Sequence, residues 1–357
     1  MTGVYLEPVG LLYGAVAQEA IAGGVALPLA GGPIAFCAAR LWEGEPGRIT
    51  HATVRTATLA AIGDSRIKDL VERLTAPRTA ISGLAMNKPH IMGIVNVTPD
   101  SFSDGGEHAG PEAARRHGEL LVSQGASILD IGGESTRPGA ETISVADEIS
   151  RVIPVIERLA TAGVPLSIDT RKPEVMRAAA RAGAAILNDV SGLTFSPNSA
   201  ATAAELQKPT VIMHAKGDPK TMQDNPAYAD VVVEVYDFLE SRMKAAVSAG
   251  LAETTIVADP GIGFGKTLDH NLSLLGSLGI FHGLGVPLLL GASRKGLISD
   301  VAGMATPKDR VPGSIAAALL AIARGVQIVR VHDVFATRQA ISVWQSSHFG
   351  QAGAGKM

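Results

Sequence analysis

The sequence is poor in cysteine and in aromatic residues, and both shortages limit the possible structures. Its 357 residues include one cysteine, Cys37, which excludes an intrachain disulfide framework and favours a reducing compartment, so we expect a cytoplasmic protein. Aromatic residues make up only 4% of the chain, whereas 46% of it is hydrophobic. The core must therefore be built mainly from Ala, Val, Ile and Leu, as parallel strands buried on both faces require.

A strong excess of charge and a long apolar helix are also lacking. The formal net charge is −3, so we expect no basic surface for nucleic acid, although local basic spots could bind small anions. The first residues show no basic segment followed by an apolar core, and we expect no secretory signal. Residues 20–39 carry no charge, but glycine and proline interrupt them and their apolar content is mostly alanine. Neither a membrane-spanning helix nor a membrane partner is expected.

Eight short apolar runs recur along the chain, and each stops at glycine, polar or ionisable residues. Helical stretches lie between most successive runs. Eight such units predict an α/β fold, a TIM (β/α)8 barrel, because this number favours closure over an open doubly wound sheet. The runs cover residues 91–95, 128–131, 166–168, 186–187, 211–213, 256–258, 288–290 and 328–331. We assign the barrel to residues 87–347.

The flanking segments do not follow this rhythm. Within residues 1–86, residues 11–21 and 53–74 have helical spacing, which predicts an α-rich appendage of unknown function. We expect it to pack on the outside of the barrel, at a subunit interface or over the amino-terminal mouth. Residues 348–357 are predicted to form a flexible C-terminal tail. Removal of residues 1–86 is expected to leave a folded, active barrel.

Polar residues at the ends of the runs are the candidates for an active site, because the carboxyl ends of barrel strands carry the chemistry. The acidic and amide candidates are Asp169, Asn188, Asp189 and Asp259. Such carboxylates suit a heterocycle with a guanidine-like edge, which offers two parallel donors. The basic candidates are Arg294, Lys295, Arg330 and His332. One such residue is more often part of a structural ion pair, but convergence on one rim favours a site for an anion such as pyrophosphate.

Two long loops follow the first two runs. Residues 96–106 are polar and glycine-rich and include Asp100 and Phe102, which predicts a mobile lid over the ligand. Residues 132–139 begin with two glycines that let the backbone approach a ligand, and they carry Thr136 and Arg137. An arginine there suits a phosphate oxygen or a carboxylate, or a surface salt bridge.

A third loop, residues 259–267, superficially resembles a phosphate-binding loop. It fails the Walker pattern because the residue five before Gly265 is Pro260, and it fails the dinucleotide pattern because Lys266 replaces the third glycine. Nucleotide binding is therefore not supported. We expect these glycines to allow a tight turn after Asp259 that presents Phe264 to the site.

The sequence offers no His and Cys set with zinc spacing, and no Ser-His-Asp assignment is forced. A metal would therefore be hard and bound by oxygen. We expect Mg²⁺ held largely by phosphate oxygens, with Asn96 as the best protein ligand.

Taken in order, these segments resemble the dihydropteroate synthase family. The sequences MGIVNVTPDSFSDGG (92–106) and IGGESTRPG (131–139) are similar to its two most specific signatures. The remaining motifs follow in the family's order, and the resemblance covers essentially all of residues 88–347. They are SIDT (167–170), NDV (188–190), DPGIGFGK (259–266), SRK (293–295) and RVHD (330–333).

The resemblance implies a transferase of folate biosynthesis. It would join 6-hydroxymethyl-7,8-dihydropterin pyrophosphate to p-aminobenzoate and release pyrophosphate, with Mg²⁺ as cofactor. The chemistry would be similar to an SN1 displacement, in which the C–O bond breaks first and leaves a pterin-stabilised cation. A homodimer and small-molecule substrates are expected.

The resemblance also implies roles for individual residues. The expected pterin pocket comprises Asp169, Asn188, Asp259 and Lys295. The expected pyrophosphate and Mg²⁺ site comprises Asn96, Arg330 and His332. The expected aminobenzoate site comprises Thr136, Arg137, Phe264 and Ser293, with Asp100 and Phe102 on the closing loop. Met213 and Gly291 are further expected substrate contacts, and the catalytic candidates are Asp100, Thr136, Arg137 and Lys295.

Three other functions remain open from the sequence. A pterin-dependent methyltransferase would share the fold and the pterin pocket, but it would not need Thr136 and Arg137 beside a pyrophosphate site. A non-catalytic pterin-binding paralogue predicts degraded loops, whereas both loops are intact here. An aldolase could form a Schiff base on Lys295.

Overall fold

A computed structural model describes residues 3–97, 109–135, 139–218, 220–304 and 306–353. The chain begins with a segment that precedes the barrel and contains both strands and helices. Its strands are β1 (Gly3–Leu12), β2 (Leu27–Pro28), β3 (Ala35–Gly44) and β4 (Thr50–Arg55). Its helices are α1 (Gly14–Ala22), α2 (Thr56–Ala61) and α3 (Ser65–Thr75).

The prediction that this appendage is α-rich is wrong. All four strands join one antiparallel sheet, in which β3 pairs with β1 on one side and with β2 and β4 on the other. Long-range pairing of β1 with β3 and burial of Leu6 and Phe36 against Leu70 and Leu74 of α3 override the local helical spacing. The long helix expected over residues 53–74 is divided, because Asp64 caps α3 by accepting a hydrogen bond from Arg66 N.

The eight apolar runs form the predicted TIM barrel. The strands are β5 (His90–Asn96), β6 (Ile128–Gly132), β7 (Leu166–Asp169), β8 (Ile186–Asp189), β9 (Thr210–Met213), β10 (Ile256–Asp259), β11 (Leu289–Leu290) and β12 (Ile328–Val331). They are parallel and ordered β10-β9-β8-β7-β6-β5-β12-β11. A parallel bridge between Ala258 and Leu288 brings the last edge beside the first and closes the ring.

Helices surround this ring and run back between the strands. They are α4 (Ala109–Gln124), α5 (Val145–Leu159), α6 (Pro173–Ala182), α7 (Ser199–Leu206), α8 (Val231–Ser248), α9 (Leu268–Gly276), α10 (Gly296–Ala302), α11 (Val311–Ala323) and α12 (Val334–Gly353). Their ends follow local sequence signals. Ser144 caps α5 by accepting from Asp147 N, Pro173 opens α6, and Gly183 ends α6 in the left-handed conformation.

The barrel interior changes from apolar at its amino end to polar at its carboxyl end. Near the amino end the first inward-facing residues of seven strands form one cluster. They are Met92, Ile128, Ile186, Val211, Val257, Leu289 and Ile328. Ile81 and Met86 pack into this cluster from below, so they belong to the barrel core although our boundary placed them in the appendage.

The appendage is fastened to the barrel at several points. Tyr5 Oη donates to Asp237 of α8 at 2.8 Å, and Tyr13 Oη donates to Ala323 O at the end of α11 at 2.8 Å. The buried Arg78 guanidinium donates to His282 O at 2.9 Å, in the 3-10 helix Leu278–Leu284 that precedes β11. The segment therefore packs on the helical layer and on the amino end of the barrel.

The end of the chain also contacts the appendage. Residues 348 and 349, which we expected to begin a flexible tail, lie within α12, which runs to Gly353 and has a kink at Gly350. The His348 ring packs edge-on against Tyr13 at 4.8 Å, and Phe349 packs against the appendage core. These contacts of the His348 and Phe349 rings with the appendage support the longer helix. Within the described ranges, no helix has the length and apolar character needed to cross a membrane.

Candidate active site

A network of charged side chains crosses the barrel above its apolar layer. Arg330 on β12 donates through Nε to Asp130 Oδ2 at 2.6 Å and through Nη2 to Asp169 Oδ2 at 2.7 Å. Asn188 on β8 donates to the same Asp130 oxygen at 3.0 Å. Alternate side chains of each strand point into the barrel, and this brings these four groups from β6, β7, β8 and β12 together. Three of the four were expected in the site.

These contacts change the protonation of the groups involved. Burial lowers the pKa of Arg330, but Asp130 and Asp169 more than offset this and raise it above its usual value. Burial raises the pKa of Asp169 to about 7, against the opposing effect of Arg330 and with the support of Asp130. Asp169 is therefore a carboxyl group that can change its charge near neutral pH.

A second charged pair lies at the carboxyl end of β10. Asp259 is buried and its Oδ1 accepts from Gly261 N at 2.7 Å. Lys295, just before α10, donates to Ile262 O, and its Nζ lies 4.6 Å from the centroid of the Phe264 ring. Asp259 and Lys295 therefore both bond to the backbone of the same turn.

Burial shifts both members of this pair towards their neutral forms. It raises the pKa of Asp259, and Lys295 acts in the opposite direction. It lowers the pKa of Lys295 to about 8; Asp259 opposes this shift and Arg330 adds to it. The Asp259 carboxylate and the Lys295 ammonium therefore stabilise each other's charged form, and a charged ligand would add to this effect.

The turn after Asp259 requires glycine, as the sequence indicated. Gly261 has φ +68, and a Cβ there would lie 1.8 Å from His214 O. Gly265 has φ +62, and a Cβ there would lie 2.2 Å from Lys216 O. The buried Lys266 stabilises the turn from inside, since its Nζ donates to Gly261 O at 2.8 Å. The half-buried Phe264 then lines a cavity of about 420 Å³.

The other predicted residues lie on the same end of the barrel. Met213 pairs with Asp259 across β9 and β10, and Asn96 ends β5 opposite Gly132. A Cβ at Gly291 would lie 3.9 Å from the Arg330 side chain. Ser293 Oγ lies 3.0 Å from His332 Nδ1. Asp100, Phe102, Thr136 and Arg137 lie outside the described residues.

Two charged candidates have structural partners instead. Asp189 follows Asn188 and therefore points away from the barrel axis, where its Oδ1 accepts from Ser191 N and Oγ at 2.6 Å. Burial raises its pKa to about 6, although the bonds from Ser191 oppose this. Arg294 donates through Nε to Asp333 at 2.9 Å, so it is part of an ion pair beside the site.

Asp130 was not among the residues predicted from the sequence. This residue is fully buried, and its Oδ1 has no hydrogen-bond partner among the described residues. The signal was a carboxylate inside an otherwise apolar run of residues 128–131, where burial demands a partner. A cluster of buried charges, formed by Glu134, Glu148, Arg171 and Lys172, was not predicted either.

The family profile described as pterin binding enzyme matches residues 92–332. The chain belongs to the pterin-binding enzyme family. The match contains all eight barrel strands except the first residues of β5, and it contains every described residue that we placed in the site. The appendage lies outside it.

Known members of this family are close in sequence. The chain is 46% identical over 267 residues to the dihydropteroate synthase of Escherichia coli K12, a match that covers 74% of this chain and 94% of the relative. It is 48% identical over 268 residues to that of Neisseria meningitidis serogroup B, with the same coverage.

Solved structures of the pterin-binding enzyme family agree with the fold. Xanthomonas albilineans dihydropteroate synthase with 4-aminobenzoic acid superposes with a TM-score of 0.72 at 51% identity, covering 76% of this chain and 98% of that one. The same enzyme in complex with 7,8-dihydropteroate gives a TM-score of 0.69 at 48% identity with the same coverage. About a quarter of this chain therefore has no counterpart in these structures.

Proposed function

We propose that the chain is a transferase that joins 6-hydroxymethyl-7,8-dihydropterin pyrophosphate to p-aminobenzoate, giving 7,8-dihydropteroate and pyrophosphate in folate biosynthesis. One observation carries this proposal: two buried carboxylates, Asp169 and Asp259, face a guanidinium and an ammonium, Arg330 and Lys295, across the mouth of a barrel of this family. Such a site has acceptors for a heterocycle and cations for a leaving anion.

Asp259 is suited to bind the pterin ring. Its carboxylate is desolvated and gains from a donor pair, and the guanidine-like edge of a pterin offers two parallel N–H groups. Asn188 and Asp169 would bind further ring atoms, with Met213 and Lys295 beside the ring. Asp130 would position two residues of the site without contacting the ring, because its Oδ2 accepts hydrogen bonds from both Asn188 and Arg330.

Arg330 and His332 are suited to bind the pyrophosphate. Arg330 keeps its positive charge when buried, so it can stabilise the negative charge that develops on the leaving group. Gly291 lies against Arg330, where a Cβ added at the glycine would touch its side chain.

The donor set fits Mg²⁺ held mostly by substrate. Among the described residues no three His, Cys, Asp or Glu side chains are grouped to hold a metal, and Asn96 offers one amide oxygen at the end of β5. Mg²⁺ keeps few protein ligands when phosphate oxygens are available, so Asn96 would hold the ion together with the pyrophosphate. The bound ion would neutralise charge on the leaving group.

The aminobenzoate would lie between Phe264 and Ser293, under the loops that carry Thr136, Arg137, Asp100 and Phe102. The pterin C–O bond breaks first, and its electron pair leaves with the pyrophosphate. The amine nitrogen of the aminobenzoate then attacks the cationic carbon and loses a proton. Lys295 and the buried carboxylates need only stabilise charges and exclude water, so no covalent nucleophile is required.

A turnover assay tests this function. Release of pyrophosphate should require both substrates and should be matched by formation of dihydropteroate. Methyl transfer from a pterin cofactor, or pterin binding without turnover, would contradict the proposal. Borohydride trapping of a carbonyl substrate on Lys295 would instead identify a Schiff-base enzyme.

We also propose that the protein is a cytoplasmic homodimer with the barrel as its catalytic part. The free thiol of Cys37 supports a reducing compartment. The outer faces of α11 and α12 expose Leu320, Phe335 and Val343, which are apolar side chains that a second copy would cover. Sedimentation of the wild type and of Val343→Asp would test the dimer; an unchanged mass for the variant would contradict this face.

A further inference from the structure

Four charged side chains are buried beside the loop that follows β6. Glu134 Oε2 accepts from Arg171 Nε at 3.1 Å, and Glu134 Oε1 accepts from Lys172 Nζ at 2.9 Å. Lys172 Nζ also donates to Glu148 Oε2 at 2.5 Å. All four residues are at most 9% exposed, and their charges balance. We call these four residues the loop-anchor cluster.

The loop-anchor cluster joins the two ends of that loop. Glu134 lies at its beginning, and Glu134 Oε1 accepts from Ile143 N at its end at 3.0 Å. Arg171 Nη2 donates to Thr142 Oγ1 at 2.9 Å. Positions 134 and 143 are therefore held together by side chains whose own positions are fixed by burial.

Arg171 also connects this loop to the segment after β8. Its guanidinium carbon lies 4.4 Å from the centroid of the Phe195 ring, in the segment after β8. Arg171, Phe195 and Phe264 line the same cavity of about 420 Å³. Arg171 thus links the loop after β6 to the wall of the cavity that carries Phe264.

Stability alone does not account for this arrangement. A buried set of ion pairs is often no more stabilising than apolar side chains of the same volume, because desolvation of the charges is costly. The helices beside it have their own supports, namely the Ser144 cap of α5 and Pro173 at the start of α6. Ion pairs do restrict the positions of the side chains that form them, because all the hydrogen bonds can be made only in a few arrangements.

We propose that Glu134, Arg171 and Lys172 are positioning residues that set the affinity for the second substrate, the aminobenzoate, without contacting the pterin. The inference rests on the proposed function, which places this substrate between Phe264 and Ser293, under the loop after β6. The expected pterin-binding residues Asn188 and Asp259 are held by their own strands, so loosening the loop should leave their positions unchanged.

The exposed Thr142 permits a mild test that leaves every buried charge paired. Thr142→Val removes the acceptor for Arg171, whereas Thr142→Ser keeps it. We expect Thr142→Val to raise KM for p-aminobenzoate about threefold to tenfold, the value of one net hydrogen bond, and Thr142→Ser to match the wild type. Equal KM values for the two variants would overturn the inference.

Glu134→Gln is the stronger variant, because it removes the negative charge that both cations share. KM for p-aminobenzoate should rise more than tenfold, while the Kd for the pterin pyrophosphate, measured by calorimetry, should stay within about twofold. Glu112→Gln, which removes a carboxylate from an exposed ion pair on α4, is the matched control and should change neither value.

The outcomes separate the inference from the proposed function. If Glu134→Gln weakens both substrates equally and in step with its loss of thermal stability, the cluster is only structural and the inference is wrong. If the variant does not fold, the Thr142 pair decides. A wild type that forms no dihydropteroate from the two substrates would overturn the proposed function and the inference with it, whereas an active wild type with unaffected variants would overturn the inference alone.

Discussion

At the scale of single residues, the site contains carboxylates whose burial is only partly offset by neighbouring cations. Asp130 and Asp169 take up two donors of Arg330, so an anionic ligand would share this guanidinium with them. Asp259 differs, because the hydrogen bond to its Oδ1 comes from a backbone N–H, that of Gly261. The two carboxylates on β7 and β10 therefore have different hydrogen-bond partners although both end a strand.

Asp259→Asn should weaken pterin binding. The change replaces a charge-assisted acceptor by an amide, and the loss of such a bond costs about 1.5–3 kcal/mol, so affinity should fall at least about tenfold. Calorimetry with the pterin pyrophosphate measures this directly. Asp189→Asn is the control, because that carboxylate is also buried at a strand end but bonds to Ser191; if the control lost as much affinity, the assignment of Asp259 would fail.

Asp169 predicts an unusual pH dependence of stability. Its pKa is about 7 in the folded chain against an ordinary value of 3.8, so the folded state holds more protons than the unfolded state between these values. Stability contributed by this group is therefore present at low pH and is lost as pH rises through about 4 to 7. The difference in unfolding free energy between wild type and Asp169→Asn should fall over that range and then level off. A difference that is independent of pH would contradict the raised pKa.

At the scale of elements, short turns decide how the strand-end residues face the ligand. The turn from Asp259 to Gly265 packs so closely on the end of β9 that side chains cannot be accommodated at Gly261 and Gly265. Two lysines donate to its carbonyl groups, Lys266 to Gly261 O and Lys295 to Ile262 O. Rigidity of this turn should therefore be required for the position of Phe264.

Gly261→Ala should damage both the fold and the site. The new Cβ would meet backbone and would also require φ +68, so a shift of the turn is unavoidable. We expect a loss of stability well above the cost of about 1 kcal/mol for the left-handed conformation alone, and a loss of pterin affinity. Gly183→Ala provides the comparison, since its φ is +119 but a Cβ there would meet no atom within 4 Å beyond its chain neighbours. Equal melting temperatures for the two variants would show that the turn can yield.

The elements also show how far the sequence could predict the structure. All eight barrel strands were predicted, because buried parallel strands appear as apolar runs and their ends as polar residues. Asp130 was missed because one carboxylate inside such a run gives no indication of its partner 200 positions later. The appendage sheet was missed because β1 and β3 pair over a long range, which local spacing does not reveal. The ion pairs of Glu134 were missed because its partners Arg171 and Lys172 lie 37 and 38 positions later in the sequence.

At the scale of the whole molecule, the appendage and the barrel share buried surface. The 3-10 helix Leu278–Leu284 is entirely buried, and β1 and α3 pack against it. Arg78 donates to the backbone carbonyls of His282 and Gly285 at their junction. Removal of the appendage would expose this apolar helix and leave those carbonyls without their donor.

The structure changes the expected outcome of truncation. A chain of residues 87–357 lacks Ile81 and Met86, which fill the amino end of the barrel, so it should be far less stable than one of residues 77–357, which keeps them. Every described site residue remains in both, and the solved family structures have no counterpart for about a quarter of this chain. We therefore expect residues 77–357 to release pyrophosphate with both substrates, at reduced solubility, and residues 87–357 to melt at a much lower temperature. The comparison of the two melting curves distinguishes the contribution of Ile81 and Met86 to stability from that of the rest of the appendage. If residues 77–357 fold cooperatively but are inactive, the appendage contributes to the site; if both chains melt alike, Ile81 and Met86 are dispensable to the barrel.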